Sequence, residues 1–215
     1  MPRGRKGPSG RSTGKKTRRE MNTDSTRREI LRAARKLFAL HGYADTPLSA
    51  IVHAAKVTTG AVYHHFGDKK DLFRSVAESV EIEILERIAA RARGVEDAWS
   101  RLVIGTSAIL EIATEPDIRR IVFLDAPNVI GAATWREVEL QFGFGAMHKL
   151  LVELKAARKI QAPSTSVLAA MLLGALIEAA NSVAMAEDKP TAIADAKATI
   201  SVFLEAVHIP GPVVT

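Results

Sequence analysis

The chain has 215 residues, enough for one large domain or two small ones, and its 47% hydrophobic and 25% charged residues are ordinary for a globular protein. It contains no cysteine, which excludes disulfide frameworks, thiolate nucleophiles, iron–sulfur ligation and cysteine-based zinc sites. Nothing in the composition favours an oxidising compartment, so we expect a cytoplasmic protein.

The net charge of +6 is concentrated at the amino terminus. Residues 1–19 hold eight basic side chains and no acidic one, whereas the remainder holds 22 basic and 24 acidic side chains. Such a segment indicates a polyanionic partner, and the alternative is a merely solvated tail. Residues 1–24 are polar without a hydrophobic period, so we predict a disordered basic arm. The sequence leaves open whether translation starts at Met1 or at Met21.

Four helices are predicted in the amino-terminal half from apolar residues that recur three or four positions apart. Capping residues and glycines separate them, because Ser, Thr and Asp favour helix starts and Gly favours helix ends. The predicted helices cover residues 26–41, 48–55 and 58–66 and the stretch from Asp68 to about residue 93. Ser25 or Thr26 caps the first helix and Gly42 ends it. Thr46 caps the second helix, and Pro47 is its first residue.

The rest of the chain repeats the same helical period. Helices are predicted over residues 95–113, 116–124, 133–158, 163–186 and 191–207, with breaks at Gly94, Pro116, Pro127, Gly131, Pro163 and Pro190. No useful strand alternation is present, so the predicted fold is all-α with about nine helices. We place one domain over residues 25–70 and a second, a helical bundle, over residues 71–215.

One apolar run, residues 167–177, is eleven residues long, which is shorter than the roughly 17–25 that span a bilayer. Glu178 and Asn181 follow it, and an acidic side chain is costly in lipid. We therefore predict a helix that is buried against protein and no membrane partner.

The second and third predicted helices have the spacing of a helix-turn-helix, in which the second of the pair enters the major groove of DNA. The start of that helix must be small or polar so that its backbone approaches the base edges. Here it reads Thr58, Thr59, Gly60 and Ala61, followed by Tyr63 and His64 on the outer face. Lys69 at the next helix start suits a phosphate. The alternative is an ordinary polar helix surface.

The stretch from Thr46 to Phe73 resembles the DNA-binding domain of the tetracycline-repressor (TetR) family, whose signature is matched by Gly60-x-x-Tyr63-x-x-Phe66 followed by Lys69 and Leu72. The resemblance covers residues 26–75. It implies phosphate contacts by Thr46 and Lys69, base approach by Thr58, Thr59 and Gly60, and phosphate or base contacts by Tyr63 and His64. Lys56 stands where family members usually have Gly, which implies either a cost for a positive φ or an added phosphate contact.

The resemblance also implies that the second domain holds an effector pocket and a dimerisation surface. Candidate pocket residues are apolar with a few polar groups, although a plain core would have the same composition. They are Trp99, Val103, Thr106, Leu110, Phe123, Asn128, Trp135, Phe142 and Met147. The candidate dimer interface comprises apolar residues of the last two helices, Leu168, Met171, Leu172, Ala175, Ile200, Phe203 and Leu204.

The sequence therefore predicts a dimeric, ligand-responsive DNA-binding regulator, and we expect a repressor rather than an activator. We predict no catalytic residue, no metal site and no cofactor, and double-stranded DNA, an unidentified small molecule and a second copy of the chain as partners. Two alternatives remain at this stage. One is a small all-α enzyme, for which Glu139 and His148 are the only loose candidates. The other is an architectural DNA-binding protein without sequence preference.

Overall fold

The computed structural model describes the backbone of residues 18–209 and the side chains of residues 23–209. All regular structure in this part is helical, which confirms the predicted all-α class. If α6, a π-helical turn and α7 are counted as one continuous segment, the described part holds nine helical segments. They are α1 (Arg18–His41), α2 (Leu48–Ala55), α3 (Thr59–Phe66), α4 (Lys69–Arg91), α5 (Ala98–Ile112), α6 (Pro116–Ile118) with the π-turn (Arg119–Asp125) and α7 (Ala126–Ile130), α8 (Ala132–Ala156), α9 (Thr165–Met185) and α10 (Lys189–Val207).

The start of α1 differs from the prediction. The helix begins at Arg18, so Ser25 and Thr26 lie within it and residues 18–24 are helical where we expected a disordered arm. These residues have no apolar period, yet Arg, Glu and Met are good helix formers and extend a helix that packing has already nucleated. Residues 1–17 lie outside the described part of the chain, and their predicted disorder is untested.

The first three helices and the start of α4 pack around one aromatic centre. Ile30 and Phe38 of α1, Val62 of α3 and Phe73 of α4 are fully buried. The rings of Phe38 and Phe73 meet edge to face with their centroids 5.1 Å apart, and Tyr43 packs against both. Such pairs add to the stability that burial alone provides. This packing fixes the direction in which α3 presents its outer face.

Two helix starts show how local sequence sets the boundaries. Asp68 caps α4 as predicted, because its carboxylate accepts a hydrogen bond of 2.7 Å from Asp71 N. The predicted capping of α2 by Thr46 is wrong. Pro47 is the cap residue and provides no side-chain hydrogen bond, while Thr46 is buried. The Thr46 hydroxyl lies 2.7 Å from Gly42 O and donates to this carbonyl inside the α1–α2 turn.

The segment from α6 to α7 corrects the predicted break at Pro127. The helix passes through this position because its preceding turn is π-helical, with Ala126 N donating to Ile121 O five residues back. Pro127 stands directly after the widened turn, at the start of α7, where a missing backbone donor is tolerated. The segment is therefore continuous from Pro116 to Ile130.

The predicted boundary between the two domains falls in the first turn of α4. This helix continues for 23 residues into the bundle, and a single cluster of buried apolar residues runs from Ile30 in α1 to Val183 in α9. A second cluster joins α5, α8, α9 and α10 around Leu102, Leu151 and Leu204. The amino-terminal helices are therefore packed directly on the helices of the bundle.

Helix α9 is the one described helix that is long and apolar enough, with a mean hydropathy of 1.8, to cross a membrane. A core helix of a globular protein meets the same criterion. Leu172, Leu176 and Ala180 of α9 are buried against the rest of the chain, in agreement with the predicted packing on protein.

Candidate DNA-binding surface and interior cavity

Helix α3 presents one exposed polar face. Thr59, Gly60 and His64 are exposed, and Tyr63 is 53% exposed. Val62 and Phe66, one turn apart on the opposite side, are buried in the aromatic centre. The predicted division of this helix between inner and outer residues is therefore present in the structure.

The start of α3 is held by Thr58, whose hydroxyl oxygen accepts a hydrogen bond of 3.2 Å from Ala61 N. Thr58 thus has a structural role in addition to its predicted place near the bases. Ala61 is half-buried. At Gly60 an added Cβ would find its nearest neighbour, the Thr58 hydroxyl oxygen, 3.9 Å away. The fold itself therefore leaves room for a side chain at Gly60.

The structure bears on the phosphate contacts that the sequence predicts for Thr46 and Lys56. The buried Thr46 side chain is turned into the α1–α2 turn and is not available to a phosphate, which corrects that expectation. Lys56 ends α2 in the left-handed region at φ 54° and ψ 43°, as its position in place of a glycine implied. Its side chain is exposed next to α3.

Lys69 ties the start of α4 to the α1–α2 turn. Its Nζ donates a hydrogen bond of 2.7 Å to Tyr43 O and lies 4.3 Å from the centre of the Tyr43 ring. Burial lowers the pKa of Lys69, against the opposing effect of Asp45. An ammonium group has three donors, so two of them remain for a phosphate. Arg27, whose guanidinium lies 5.0 Å from the centre of the Phe66 ring, adds a positive charge beside α3 that the sequence motif does not include.

A cavity of about 500 Å³ lies inside the bundle, between α4, α5, α8, α9 and the π-turn. Three of the nine predicted pocket residues line it, namely Thr106, Phe123 and Met147. The other six predicted pocket residues do not line the cavity, which corrects that expectation. Leu110 and Trp135 are core residues, and Phe142 packs against the core. Val103 and Asn128 are exposed, and the Trp99 ring stacks on the His208 ring with centroids 3.9 Å apart.

Three acidic side chains also line this cavity, Glu81 of α4 and Glu139 and Glu153 of α8. Burial, together with the charge of Glu139, raises the pKa of Glu81 to about 8. Burial also raises the pKa of Glu139, opposed by Arg136, whose Nη1 lies 3.6 Å from a Glu139 carboxylate oxygen. Among the described residues, no group of three or more His, Asp or Glu could hold a metal ion.

The π-turn connects the cavity with the amino-terminal helices. Phe123 lines the cavity, and two residues later Asp125 accepts a hydrogen bond of 2.8 Å from Tyr43 N. Arg120 of the same turn donates to His41 O at 3.2 Å. Gly42, with φ 80°, leaves the space that the Arg120 guanidinium occupies, since an added Cβ would lie 2.5 Å from it. One turn of helix therefore touches both the cavity and the end of α1.

The predicted dimer residues divide into two groups. Leu172, Ile200 and Leu204 are buried in this chain's own core and cannot contact a partner, which corrects that part of the prediction, and Leu168 and Ala175 are half-buried. Met171 and Phe203 are 65% and 52% exposed. Two neighbours that the prediction omitted, Val167 and Val202, are also exposed. These last four residues are the outward apolar face of α9 and α10.

Comparison with known proteins agrees with this geometry. A family model described as "Bacterial regulatory proteins, tetR family" matches residues 30–76, and one described as "Tetracyclin repressor-like, C-terminal domain" matches residues 99–207. The transcriptional regulator AcrR of Shigella flexneri is 44% identical over 109 residues, 50% of either chain. The transcriptional repressor AcnR of Corynebacterium efficiens is 30% identical over 103 residues, 44% of this chain and 55% of the repressor. The chain thus spans about half the length of these curated relatives.

A solved structure extends the similarity to nearly the whole chain. The crystal structure of a TetR-family transcriptional regulator from Pectobacterium atrosepticum is 34% identical, with a TM-score of 0.81, and the match covers 92% of this chain and 100% of that one. These relatives regulate transcription, and none of them is described as an enzyme. The chain belongs to the TetR family of DNA-binding transcriptional regulators.

Proposed function

We propose that this regulator is a repressor that binds an inverted-repeat DNA site as a homodimer and releases it when a small molecule enters the cavity. One observation carries the proposal: the π-turn lines the cavity through Phe123 and hydrogen-bonds the end of α1 through Asp125 and Arg120. The similarity to repressors and regulators such as AcnR and AcrR supports the role in transcription.

In the proposed complex, α3 lies in the major groove with its exposed face towards the bases. Gly60 lets the backbone approach closely, and the Thr59 hydroxyl and the His64 ring supply donors and acceptors for base edges. Lys56 and Lys69 flank this face and suit phosphates. Phosphate contacts position the protein, whereas base contacts determine the preferred sequence.

The effector would act through the π-turn. A molecule in the cavity touches Phe123, and a shift of this residue moves Asp125 and Arg120, which hold the end of α1. Arg35 adds a second connection, since it pairs with Glu83 of α4 and lies 3.0 Å from Asp117 of α6. A ligand changes DNA affinity only if it binds one arrangement of these helices better than the other.

Dimerisation is proposed through the outward apolar face of α9 and α10. A cluster of exposed apolar side chains on two neighbouring helices is suited to an identical face on a second chain. We expect Met171→Glu combined with Phe203→Glu to yield a monomer in light scattering, because each substitution buries a carboxylate in the interface. Val103→Glu, at an apolar residue of α5 that is 40% exposed, is the matched control and should remain dimeric.

Selection of bound DNA from a random library with the full chain tests the proposal. We expect an inverted repeat with half-sites about one or more helical turns apart. Thr59→Ala should change the selected sequence, whereas Lys69→Met should weaken binding to all sequences and lower the salt dependence by roughly one phosphate contact per chain. Failure to select any consensus would overturn the proposal in favour of an architectural DNA-binding protein.

A further inference from the structure

The interior cavity has two chemically different ends. Its lining on α4 runs from Glu81 to Ala92, a rise of about 16 Å along the helix axis. Lys149 and Glu153 line the other end and are exposed, so that end is the mouth. Arg101 also lies there and pairs with Glu153. Glu81 and Glu139 lie towards the closed end, where the surrounding walls are apolar.

Glu81 has no hydrogen bond or ion pair with another residue in the part of the chain that the structure describes, although it lines the cavity. The one charged group that acts on it is Glu139, which has the same sign. A buried carboxylate without a donor is costly, and a second carboxylate nearby adds to that cost. Glu81 therefore lacks a positively charged partner, whereas Glu139 has one in Arg136.

The groups around Glu81 on the other helices do not supply that charge. From α9 the cavity receives Leu173, Ile177 and other apolar side chains, and from the π-turn it receives Phe123. The charged group of α5 in the lining, Arg101, is held by Glu153 at the mouth. On α8, Arg136 is engaged with Glu139.

We propose that the cavity binds an amphipathic cation, a molecule with an apolar body along α4 and α8 and a protonated amine between Glu81 and Glu139. This inference rests on the proposed function and deepens it, because it assigns the chemical class of the effector. An ammonium group would satisfy both carboxylates with charge-assisted hydrogen bonds, while the apolar body would fill the remaining volume. An anionic or purely neutral molecule of the same shape would leave the Glu81 carboxyl without an ionic partner.

Calorimetric titration of the full chain with decylamine, decan-1-ol and decanoate tests the inference, since the three probes share one apolar body. We expect decylamine to bind at least about tenfold more tightly than the alcohol, and decanoate to bind most weakly. Glu81→Gln should remove that preference while leaving the alcohol affinity within about threefold. Glu86→Gln, on the exposed side of the same helix, is the matched control and should change neither.

The pH dependence gives a second readout that a folding defect would not produce. Binding of the amine requires ionised Glu81, whose pKa is about 8, so the affinity should rise about tenfold per pH unit below that value, with release of a proton. The amine remains protonated over this range. Glu81→Gln should flatten the dependence.

The outcomes separate this inference from the proposed function. Equal binding of the amine and the alcohol, or preferred binding of decanoate, would overturn the inference even if the preferred probe released DNA. Tight, Glu81-dependent binding of decylamine would support it even if the chain selected no DNA site, in which case the proposed function alone would fail. Binding with no change on Glu81→Gln would also overturn it.

Discussion

Gly60 offers a direct test of whether α3 reads DNA. It is the second residue of the helix, it is exposed, and a Cβ added there would meet no heavy atom closer than 3.9 Å. Nothing in the fold therefore requires a glycine. If the glycine is instead required by close approach to DNA, Gly60→Ala should raise the stability of the fold and lower the affinity for DNA.

The expected effect on stability is positive. Alanine in a helix is more favourable than glycine by about 0.5–1 kcal/mol, because it restricts the unfolded chain. For a chain of this size, each kcal/mol corresponds to about 2–4 °C in Tm. Thermal unfolding of the variant should therefore occur about 1–4 °C above that of the original protein.

The expected effect on DNA binding is negative. The added methyl group would stand between the helix backbone and the base edges, and the loss of one base pair's contacts costs about 1–3 kcal/mol. A dimer carries two such helices, so affinity for the selected site should fall about 30-fold or more. Binding to random DNA, which depends on phosphate contacts, should change much less.

Gly145→Ala provides the matched control. Gly145 is an exposed glycine within α8, remote from α3 in the chain, and a Cβ added there would meet no heavy atom within 4 Å. The substitution should raise Tm to a similar degree and leave DNA affinity unchanged. If Gly60→Ala bound the selected site as tightly as the original protein, the assignment of α3 as the base-reading helix would be refuted.

Three further predictions address the turn, the arm and the cavity. Lys56→Gly should raise the free energy of unfolding by about 0.5–1 kcal/mol in denaturant titration, because it relieves a left-handed lysine, while reducing the salt dependence of DNA binding. Deletion of residues 1–17, which lie outside the described structure, should lower the slope of log DNA affinity against log salt concentration by about 4–5 per dimer if two or three charges of each arm contact phosphates. Equal slopes for the full and the shortened chain would mean that the arm is a merely solvated tail. The free energy of unfolding should fall as pH rises from about 4.5 towards about 8, because the folded protein holds the Glu81 proton more tightly than the unfolded chain. Glu81→Gln should reduce that slope, and the raised pKa of Glu139 accounts for the part that remains.

The helix-turn-helix could be predicted from sequence because its determinants are local. The cap at Asp68, the small residues before Tyr63 and the inward spacing of Val62 and Phe66 each act within one or two turns of helix. The sequence also indicates the left-handed conformation of Lys56, since its position is one that usually requires a glycine. The role of Thr46 does not follow from the sequence, because a capping residue and a buried hydroxyl in a turn have the same local pattern.

The cavity could not be predicted to the same degree, because the helical period identifies an apolar face but not the helix that it meets. Glu81 lies in a stretch where acidic and apolar residues alternate, which is typical of a solvated helix surface. In the structure α4 is enclosed on several sides, so one of these acids is turned into the interior. Leu110 and Trp135 satisfied the same apolar criterion as Phe123 but pack in the core.

The proposed dimer face could be predicted only in part, because an apolar helix residue can belong either to the core or to an interface. The predicted interface set mixes residues of two kinds, because Leu172 and Leu204 fill this chain's own core. Their neighbours Met171 and Phe203, from the same set, remain exposed. The helical period identifies apolar positions but not the direction in which each one faces, so sequence alone does not separate core residues from the residues of a proposed interface.

The position of Phe123 suggests how the proposed effector response would reach the amino-terminal helices. A regular α-helix repeats every 3.6 residues, and the wider π-turn changes which residues share a face. In this turn Phe123 faces the cavity while Arg120 and Asp125 hold His41 O and Tyr43 N at the end of α1. Removal of the π-turn would rotate one set of contacts relative to the other. The π-turn before Pro127 is thus the feature that contacts both the cavity and the end of α1.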